Sequence, residues 1–193
     1  SFTSGHSFCS NGGNIFSGTS KGVYLSTDNG ANWISANVGI PAFTSIYSLV
    51  VSGSDIFAGT WGNVFKSSNN GVSWISPNPT FFVNMNVNAL AKNGNILFAG
   101  ASGGGVYSSI DNGTSWILSG LVTSSVEVIS IHNSNIFVGT TNGLFVSNDN
   151  GVTWSPLGLI GVDVLTIAID GVNMFAGSNG SGVYFSNDNG NNW

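Results

Sequence analysis

Carboxylates are the side chains of this sequence best suited to chemistry, and four of its eight acids share one position of a phrase written five times. The phrase is S-x-D-x-G-x-x-W, and its acid position holds Asp28, Asn69, Asp111, Asp149 and Asp188. An aspartate can act in catalysis or bind a metal ion, but a group repeated in every unit belongs to the unit rather than to one site. We therefore predict that this side chain fixes a turn by accepting hydrogen bonds from nearby backbone N–H groups.

Every copy of the phrase also carries Asn-Gly ahead of a tryptophan. Asn-Gly between apolar runs indicates a tight hairpin, because both central residues of the turn need positive φ. The indole ring is expected to be buried beside the turn. These tryptophans are Trp33, Trp74, Trp116, Trp154 and Trp193. Asn69 replaces the aspartate in the second copy, and we expect it to make fewer hydrogen bonds and to leave that turn the weakest.

The remaining acids lie outside the phrase, in different units and at different positions of the repeat. They are Asp55, Glu127, Asp163 and Asp170. Two of them could meet across the molecule, and two facing carboxylates can hydrolyse a glycoside. Asp55 and Asp170 lie in or beside turns, however, where aspartate is common for local reasons. The sequence therefore predicts no catalytic residue and leaves a glycosidase pair as an alternative.

Metal and cofactor chemistry find little support. A zinc site needs about three protein ligands, whereas His6 and His132 occupy different positions of the repeat. Cys9 is the only cysteine, and the other units carry mostly small residues at its position, so we expect a buried side chain rather than a reactive thiol. The sequence predicts no metal site and no cofactor.

Composition excludes two classes of partner. The chain has a net charge of −5 and no arginine, and its only cations are Lys21, Lys66 and Lys92. Binding to nucleic acid or to an anionic membrane surface needs clustered basic side chains, so neither is expected. No apolar run is long enough to span a bilayer, and no signal peptide is present. Ser1 falls at a repeat boundary, which is typical of a mature or excised domain.

The elements that position these residues are strands. The phrase and a second recurring phenylalanine divide the chain into five units of about 40 residues, and no stretch has helical periodicity. Each unit predicts four antiparallel strands, with the phrase in the turn between the third and the fourth. Such a unit is one blade of a β-propeller, so we predict a single, all-β, five-bladed propeller domain. The predicted blades cover about 1–41, 42–82, 83–121, 122–159 and 160–193.

The fifth blade is predicted to lack most of its outer strand. We expect the ring to close by packing of the fifth unit on the first. The exposed strand edge of the fifth blade would then allow self-association by pairing with another chain.

The five phrases resemble the Asp-box, or BNR, repeats of sialidase-like propellers. GVYLSTDNGANW and LFVSNDNGVTW fit the pattern well, and the resemblance covers the whole chain. It implies that the box lies at the blade periphery, away from a substrate cleft. Similar repeats occur in sialidases, xyloglucan-degrading glycosidases, sortilin-type receptors and secreted bacterial proteins, which implies an extracellular or secreted setting. Sialidases grip the substrate carboxylate with three arginines, and this chain has none, so sialidase activity is not expected.

Trp61 is the clearest departure from the repeat. It occupies the loop between the second and third strands, where other units carry small or polar residues such as Gly103. The loop leading into the third unit contains Phe81 and Phe82, and both loops should open on the face opposite the Asp boxes. Trp61, Phe81 and Phe82 are therefore the candidate ligand-binding residues. The alternative is that these rings simply cover the core.

Three functions fit these observations. The favoured one is a non-catalytic binding or scaffolding module whose ligand is a carbohydrate or a protein. A glycoside-binding or glycoside hydrolase-like domain is the first alternative. A propeller fragment or engineered protein without activity is the second.

Overall fold

The computed structural model describes residues 5–121 and 124–193, and all regular structure in these ranges is β-strand. In these residues no helix is long and apolar enough to cross a membrane. The strands are β1 Gly5–Asn11, β2 Asn14–Thr19, β3 Gly22–Ser26, β4 Ile34–Ser35, β5 Ile46–Ser52, β6 Asp55–Thr60, β7 Asn63–Ser67, β8 Val87–Asn93, β9 Ile96–Ala101, β10 Gly105–Ser109, β11 Ile117–Leu118, β12 Val126–His132, β13 Asn135–Thr140, β14 Gly143–Ser147, β15 Ser155–Pro156, β16 Val164–Asp170, β17 Asn173–Ser178 and β18 Val183–Ser186.

The strands form five antiparallel sheets in chain order, β1–β4, β5–β7, β8–β11, β12–β15 and β16–β18. Each sheet is one blade, which confirms the predicted all-β, five-bladed propeller. Blades 1, 3 and 4 have four strands, whereas blades 2 and 5 have three. In blade 2 the fourth strand is reduced to a single bridge between Lys66 and Ile75. Pro77 and Pro79 follow it, and proline cannot donate a hydrogen bond to a strand ladder.

Four apolar clusters fill the spaces between successive blades. In the first, Phe16 and Val23 of blade 1 pack with Ile46 and Trp74 of blade 2. The other clusters repeat this arrangement between blades 2 and 3, 3 and 4, and 4 and 5. The repeated aromatic and β-branched residues therefore form inter-blade cores rather than one central core.

In residues 5–121 and 124–193 the blades form an arc whose two ends do not pack on each other, so the expected closure of the ring is not found there. The first strands of neighbouring blades pack in succession, β1 on β5, β5 on β8, β8 on β12 and β12 on β16. Within the described ranges, no strand of blade 5 packs extensively on a strand of blade 1. Gly5 lies where the other blades present an isoleucine or valine to the preceding blade.

Candidate ligand site beside Trp61

The Asp boxes form one hydrogen-bonded turn at the same end of every blade. Asp28 Oδ1 accepts a hydrogen bond of 2.8 Å from the Ser26 hydroxyl and another of 2.8 Å from the backbone N–H of Asn32. The Ser26 hydroxyl also accepts the backbone N–H of Gly30. Asp111, Asp149 and Asp188 make the same carboxylate contacts in their blades. These bonds are those expected of a side chain that fixes a turn.

The carboxylates of the boxes are held in their charged form. The Ser115 hydroxyl and backbone N–H, followed by Ser109, lower the pKa of Asp111 to about 2. The Thr153 side chain and backbone, followed by Ser147, lower the pKa of Asp149 to about 2. Hydrogen bonds to a carboxylate favour the ionised state, which is the reverse of what a general acid requires.

Asn69 makes as many hydrogen bonds as the aspartates, which corrects the expectation of a weaker set. Its Oδ1 accepts the Ser67 hydroxyl at 3.0 Å and the backbone N–H of Ser73 at 2.9 Å. Its Nδ2 donates to the Ser73 hydroxyl at 2.8 Å, where an aspartate oxygen accepts. Reversing the direction of one bond preserves the turn, since a hydroxyl can both donate and accept.

The box tryptophans of blades 2 to 5 belong to the inter-blade interfaces, whereas Trp33 of blade 1 donates to the Gly30 carbonyl of its own turn. Trp74 and Trp116 are buried, and the others are half-buried. The indole N–H of Trp74 donates to the Ala36 carbonyl of blade 1 at 2.8 Å. Trp154 and Trp193 likewise donate to the carbonyls of Ser119 and Leu157 in the preceding blades.

Trp61 lies at the opposite end of its blade from the boxes. It falls between β6 and β7, whereas the box of blade 2 follows β7, and antiparallel strands place these two connections at opposite ends of the sheet. Its backbone forms a β-bridge with Asn86, and the N–H of Gly62 donates to the Met85 carbonyl at 2.8 Å. The indole side chain is nevertheless 63% exposed. A fixed backbone therefore presents a large aromatic surface to solvent.

A pocket of about 340 Å³ lies beside this indole. The lining residues are Pro41, Thr44, Thr60, Trp61, Gly62, Asn63, Phe65, Val83 and Asn84. They include no charged side chain, so the pocket combines an apolar surface with neutral hydroxyl and amide groups. That composition is typical of a site for a neutral ligand with both apolar and hydrogen-bonding faces.

Phe43 adds a second exposed ring at this face, and the sequence prediction missed it. It lies in the turn whose ends, Pro41 and Thr44, line the pocket, and it is 87% exposed. Its φ is +62°, in the left-handed region that is costly for a bulky residue. Asn84 and Gly161 have φ values of +67° and +78° at the same position, three residues before Val87 and Val164. The repeat places phenylalanine at this position in the first two units, Phe2 and Phe43, and Asn84 and Gly161 in later ones, so the sequence alone did not single out Phe43.

Phe81 and Phe82 do not line the pocket. Phe82 is buried, and its ring packs edge-on against Phe81, Tyr107 and Trp116 at centroid distances of 4.9–5.5 Å. Phe81 is half-buried and packs on Tyr107 as well. Phe82 therefore offers no surface to a ligand, and the prediction that placed it in the site is corrected. The loop contributes Val83 to the pocket instead, because the two phenylalanines turn into the core between blades 2 and 3.

Two acids outside the boxes approach each other on the same face as Trp61. Asp163 directly precedes β16, and Glu127 lies near the start of β12 in the adjacent blade. Burial, and then the nearby Asp163 carboxylate, raise the pKa of Glu127. Asn88 Nδ2 donates to Glu127 Oε2 at 3.2 Å, and Asn179 Nδ2 donates to Asp163 Oδ2 at 3.1 Å. The sequence named these two among four acids of which two could meet, but it did not single them out, because they occupy different positions of the repeat.

The other two acids lie at the Asp-box end. Asp55 begins β6 and forms an ion pair of 3.0 Å with Lys66. Burial opposes ionisation of Asp55, but hydrogen bonds from Ser68, Lys66 and Asn112 outweigh it and lower the pKa. Asp170 ends β16 at the same end of its blade. Neither acid lies on the face that carries Trp61.

No metal-binding cluster is found in residues 5–121 and 124–193, where no three histidine, cysteine or acidic side chains converge. Cys9 is half-buried and packs against the core between blades 1 and 2. Burial raises the pKa of its thiol to about 12. A thiol held in this form is a poor nucleophile at neutral pH.

Comparison with known proteins identifies the repeat and the fold. The family model for the BNR/Asp-box repeat matches residues 145–156. No curated protein sequence matches the chain.

Solved structures of similar fold come from proteins with different activities. An extracellular domain ascribed to a one-component system of B. thetaiotaomicron is 15% identical with a TM-score of 0.77, over 95% of this chain and 27% of that one. A GH74 xyloglucanase from Xanthomonas campestris is 15% identical with a TM-score of 0.71, over 90% of this chain and 33% of that one. YCF48 bound to D1 peptide is 18% identical with a TM-score of 0.66, over 92% of this chain and 62% of that one. The chain thus spans about a quarter to under two thirds of these neighbours.

Identities this low relate the proteins by fold and leave activity open. The fold and the repeat phrase agree with one another, since the box of blade 4 lies in the turn after β14. The chain is an all-β propeller of five blades that carries the BNR/Asp-box repeat.

Proposed function

We propose that this protein is a non-catalytic binding module that holds a neutral carbohydrate against Trp61. The observation that carries the proposal is the 63% exposed indole beside an uncharged pocket of about 340 Å³. The repeat does not require an aromatic residue there, because other units place small or polar residues in this loop. An exposed aromatic surface of this kind is typical of a recognition site.

The chemistry of the pocket favours a carbohydrate. A sugar ring has an apolar C–H face that can pack on an indole, and hydroxyl groups that can bond to Thr44, Asn63 and Asn84. The pocket has no charged group to recognise a charged ligand. Its volume lies within the range of small-ligand sites, about 300–1,000 Å³. The rigid backbone of the Trp61 loop should reduce the entropic cost of binding.

The test is a screen of the purified protein on an array of neutral glycans, with a set of unrelated peptides beside it. We expect retention of a neutral glycan by the natural protein and its loss in Trp61→Ala. Phe8→Ala is the matched control, because Phe8 is 62% exposed but lies on the outer face of blade 1. Equal binding by Trp61→Ala and the natural protein would contradict the proposal. Retention of peptides alone would replace the carbohydrate with a protein ligand.

Glycoside cleavage is a second candidate, favoured by the raised pKa of Glu127 beside Asp163. A carboxyl group whose pKa is raised by burial and by a neighbouring carboxylate resembles the general acid of a glycosidase. In this role Glu127 would protonate the glycosidic oxygen, and Asp163 would activate water or act as the nucleophile. Hydrolysis of xyloglucan or an aryl glycoside that Glu127→Gln abolishes, while glycan binding persists, would support it.

We also infer an extracellular setting. A neighbour of the same fold is an extracellular domain. Fractionation of the producing cells, with an antibody against this chain, tests the inference. Recovery of all the protein from the cytoplasmic fraction would contradict it.

A further inference from the structure

The two ends of the arc expose different kinds of surface, and the end formed by blade 5 is built like an interior surface. Phe175 on β17 is 42% exposed, whereas its counterparts Phe16, Phe57 and Phe98 are 0% exposed between blades. Val183 on β18 is 71% exposed, whereas its counterpart Val23 is fully buried. We call the surface of Phe175, Gly177, Val183 and Phe185 the terminal face. It is an apolar blade surface with no blade against it.

Every interior interface is built around a glycine that receives a β-branched side chain. A methyl group placed on Gly18 of blade 1 would lie 2.7 Å from Ile46 of blade 2. A methyl group on Gly139 of blade 4 would lie 2.8 Å from Val164 of blade 5. Val87 and Val126 crowd the corresponding glycines of blades 2 and 3. Glycine is needed at these positions because the next blade, together with first-strand residues of the same blade such as Ser48 and Val128, fills the space that a side chain would occupy.

Blade 5 keeps this glycine although no blade fills its space. A methyl group on Gly177 would lie 2.6 Å from Thr166 of its own blade, so part of the requirement for glycine is local, but no neighbouring blade occupies the space above it. Its φ is not in the left-handed region, so the backbone conformation does not explain the choice of glycine. Phe175 likewise lacks the neighbour that its counterparts have in the interior interfaces. In three interfaces the Asn-Gly glycine of the next blade, Gly71 for example, lies against the counterpart of this phenylalanine.

The other end of the arc does not match the terminal face. Blade 1 presents Gly5 where blades 2 to 5 present Ile46, Val87, Val126 and Val164. It also presents Ser17, whereas the other blades place alanine or valine at that position. Blade 1 of a second copy would therefore bring the ring of Phe8, which lies over Gly5, to Gly177 in place of a β-branched side chain. A second copy of this chain is the poorer occupant of the terminal face.

We propose that the terminal face is a docking surface for a further Asp-box blade that carries valine or isoleucine at the position of Val164. Four interfaces of this kind already exist in the molecule, and the terminal face continues their pattern. The docking blade fills the space above Gly177 with its β-branched side chain and covers Phe175 with its Asn-Gly turn. The proposal concerns a different surface from the Trp61 pocket and does not depend on the proposed function.

The experiment joins residues 34–74 of the chain, as a second copy, directly after Trp193. This segment contains an outer strand, the β-branched side chain of Ile46, the Asn-Gly turn and a box tryptophan. We expect the melting temperature to rise by about 5–10 °C, as a further buried interface should cause. We also expect slower hydrogen exchange in β17 and β18. The matched control carries Ile46→Gly in the appended copy alone, and both effects should be much smaller.

A second extended protein, with residues 117–154 appended instead, guards against poor folding of the first segment. It supplies Val126 as the β-branched side chain. Unchanged exchange in β17 and β18 in both extended proteins would overturn the proposal. A second result would also overturn it: light scattering that shows the 193-residue protein to be a dimer, with dissociation of this dimer by Phe175→Ser. A second copy of the chain would then be the occupant of the terminal face. A monomer whose terminal face becomes protected in either extension supports it.

Discussion

Replacing Phe43 with asparagine should leave the fold at least as stable while weakening ligand binding. Phe43 has a φ of +62°, and the left-handed conformation costs an L-residue with a bulky side chain about 1–2 kcal/mol. Asparagine tolerates this conformation better, and Asn84 adopts it at the same position of blade 3. Phe43→Asn should therefore relieve roughly 1 kcal/mol of backbone strain.

The packing lost in this substitution is small. The Phe43 side chain is 87% exposed, so the apolar contact removed is worth about 0.5 kcal/mol or less. The net expectation is a free energy of unfolding between unchanged and about 1 kcal/mol higher. Stored strain at an exposed aromatic residue is typical of a site kept for function rather than for stability.

Urea denaturation, followed by tryptophan fluorescence and by circular dichroism, measures the change. Phe43→Gly is a useful second variant, because Gly161 occupies the same position in blade 5. A loss of more than about 1 kcal/mol in the asparagine variant would refute the reasoning, since the ring would then be a packing residue. Unchanged glycan affinity in a variant of equal or greater stability would remove Phe43 from the site.

Three further results are expected. Phe82→Ala should lower the free energy of unfolding by about 3–5 kcal/mol in urea titrations, because a buried ring is lost, and Phe81→Ala should cost less. Lowering the pH from about 4 towards about 2 should destabilise the fold in thermal melts. The pKa of Asp111 is lower in the native state than in the unfolded state, so the charged carboxylate stabilises the fold above the unfolded pKa. This stabilisation is lost as the carboxylate becomes protonated. Asp111→Asn should reduce that acid sensitivity, and a pH profile identical to that of the natural protein would contradict the assignment. A fluorogenic sialoside should not be hydrolysed, since no arginine is present to bind its carboxylate, and turnover above a heat-treated control would contradict this.

The repeating parts of the fold could be predicted from the sequence, because a pattern written five times identifies its own turns and strands. The hydrogen bonds of Asp28 and the inter-blade position of Trp74 follow from local chemistry that each unit repeats. The number of strands in blade 2 depends on Pro77 and Pro79, which the repeat itself does not contain. Ring closure depends on how the blades pack along the whole arc, and a single unit does not specify it.

The candidate site was predicted in part. Trp61 stood out because it departs from the repeat, and the structure places it on an exposed surface. Phe82 departs from the repeat for a different reason, since it fills the core between blades 2 and 3. Sequence alone could not separate these roles, because burial depends on the path of a loop. Glu127 and Asp163 approach each other only because blades 4 and 5 are adjacent and their positions in the repeat are offset.

The most direct test of the binding function is calorimetric titration of the glycan retained on the array into the natural protein, Trp61→Ala and Phe8→Ala. Loss of an aromatic residue at the centre of a binding site typically costs about 2 kcal/mol or more. We expect the affinity of Trp61→Ala to fall by about 30-fold or more. Its melting temperature should stay within a few degrees of the natural protein, because the indole is 63% exposed. Equal affinities in all three proteins would contradict a ligand site at Trp61.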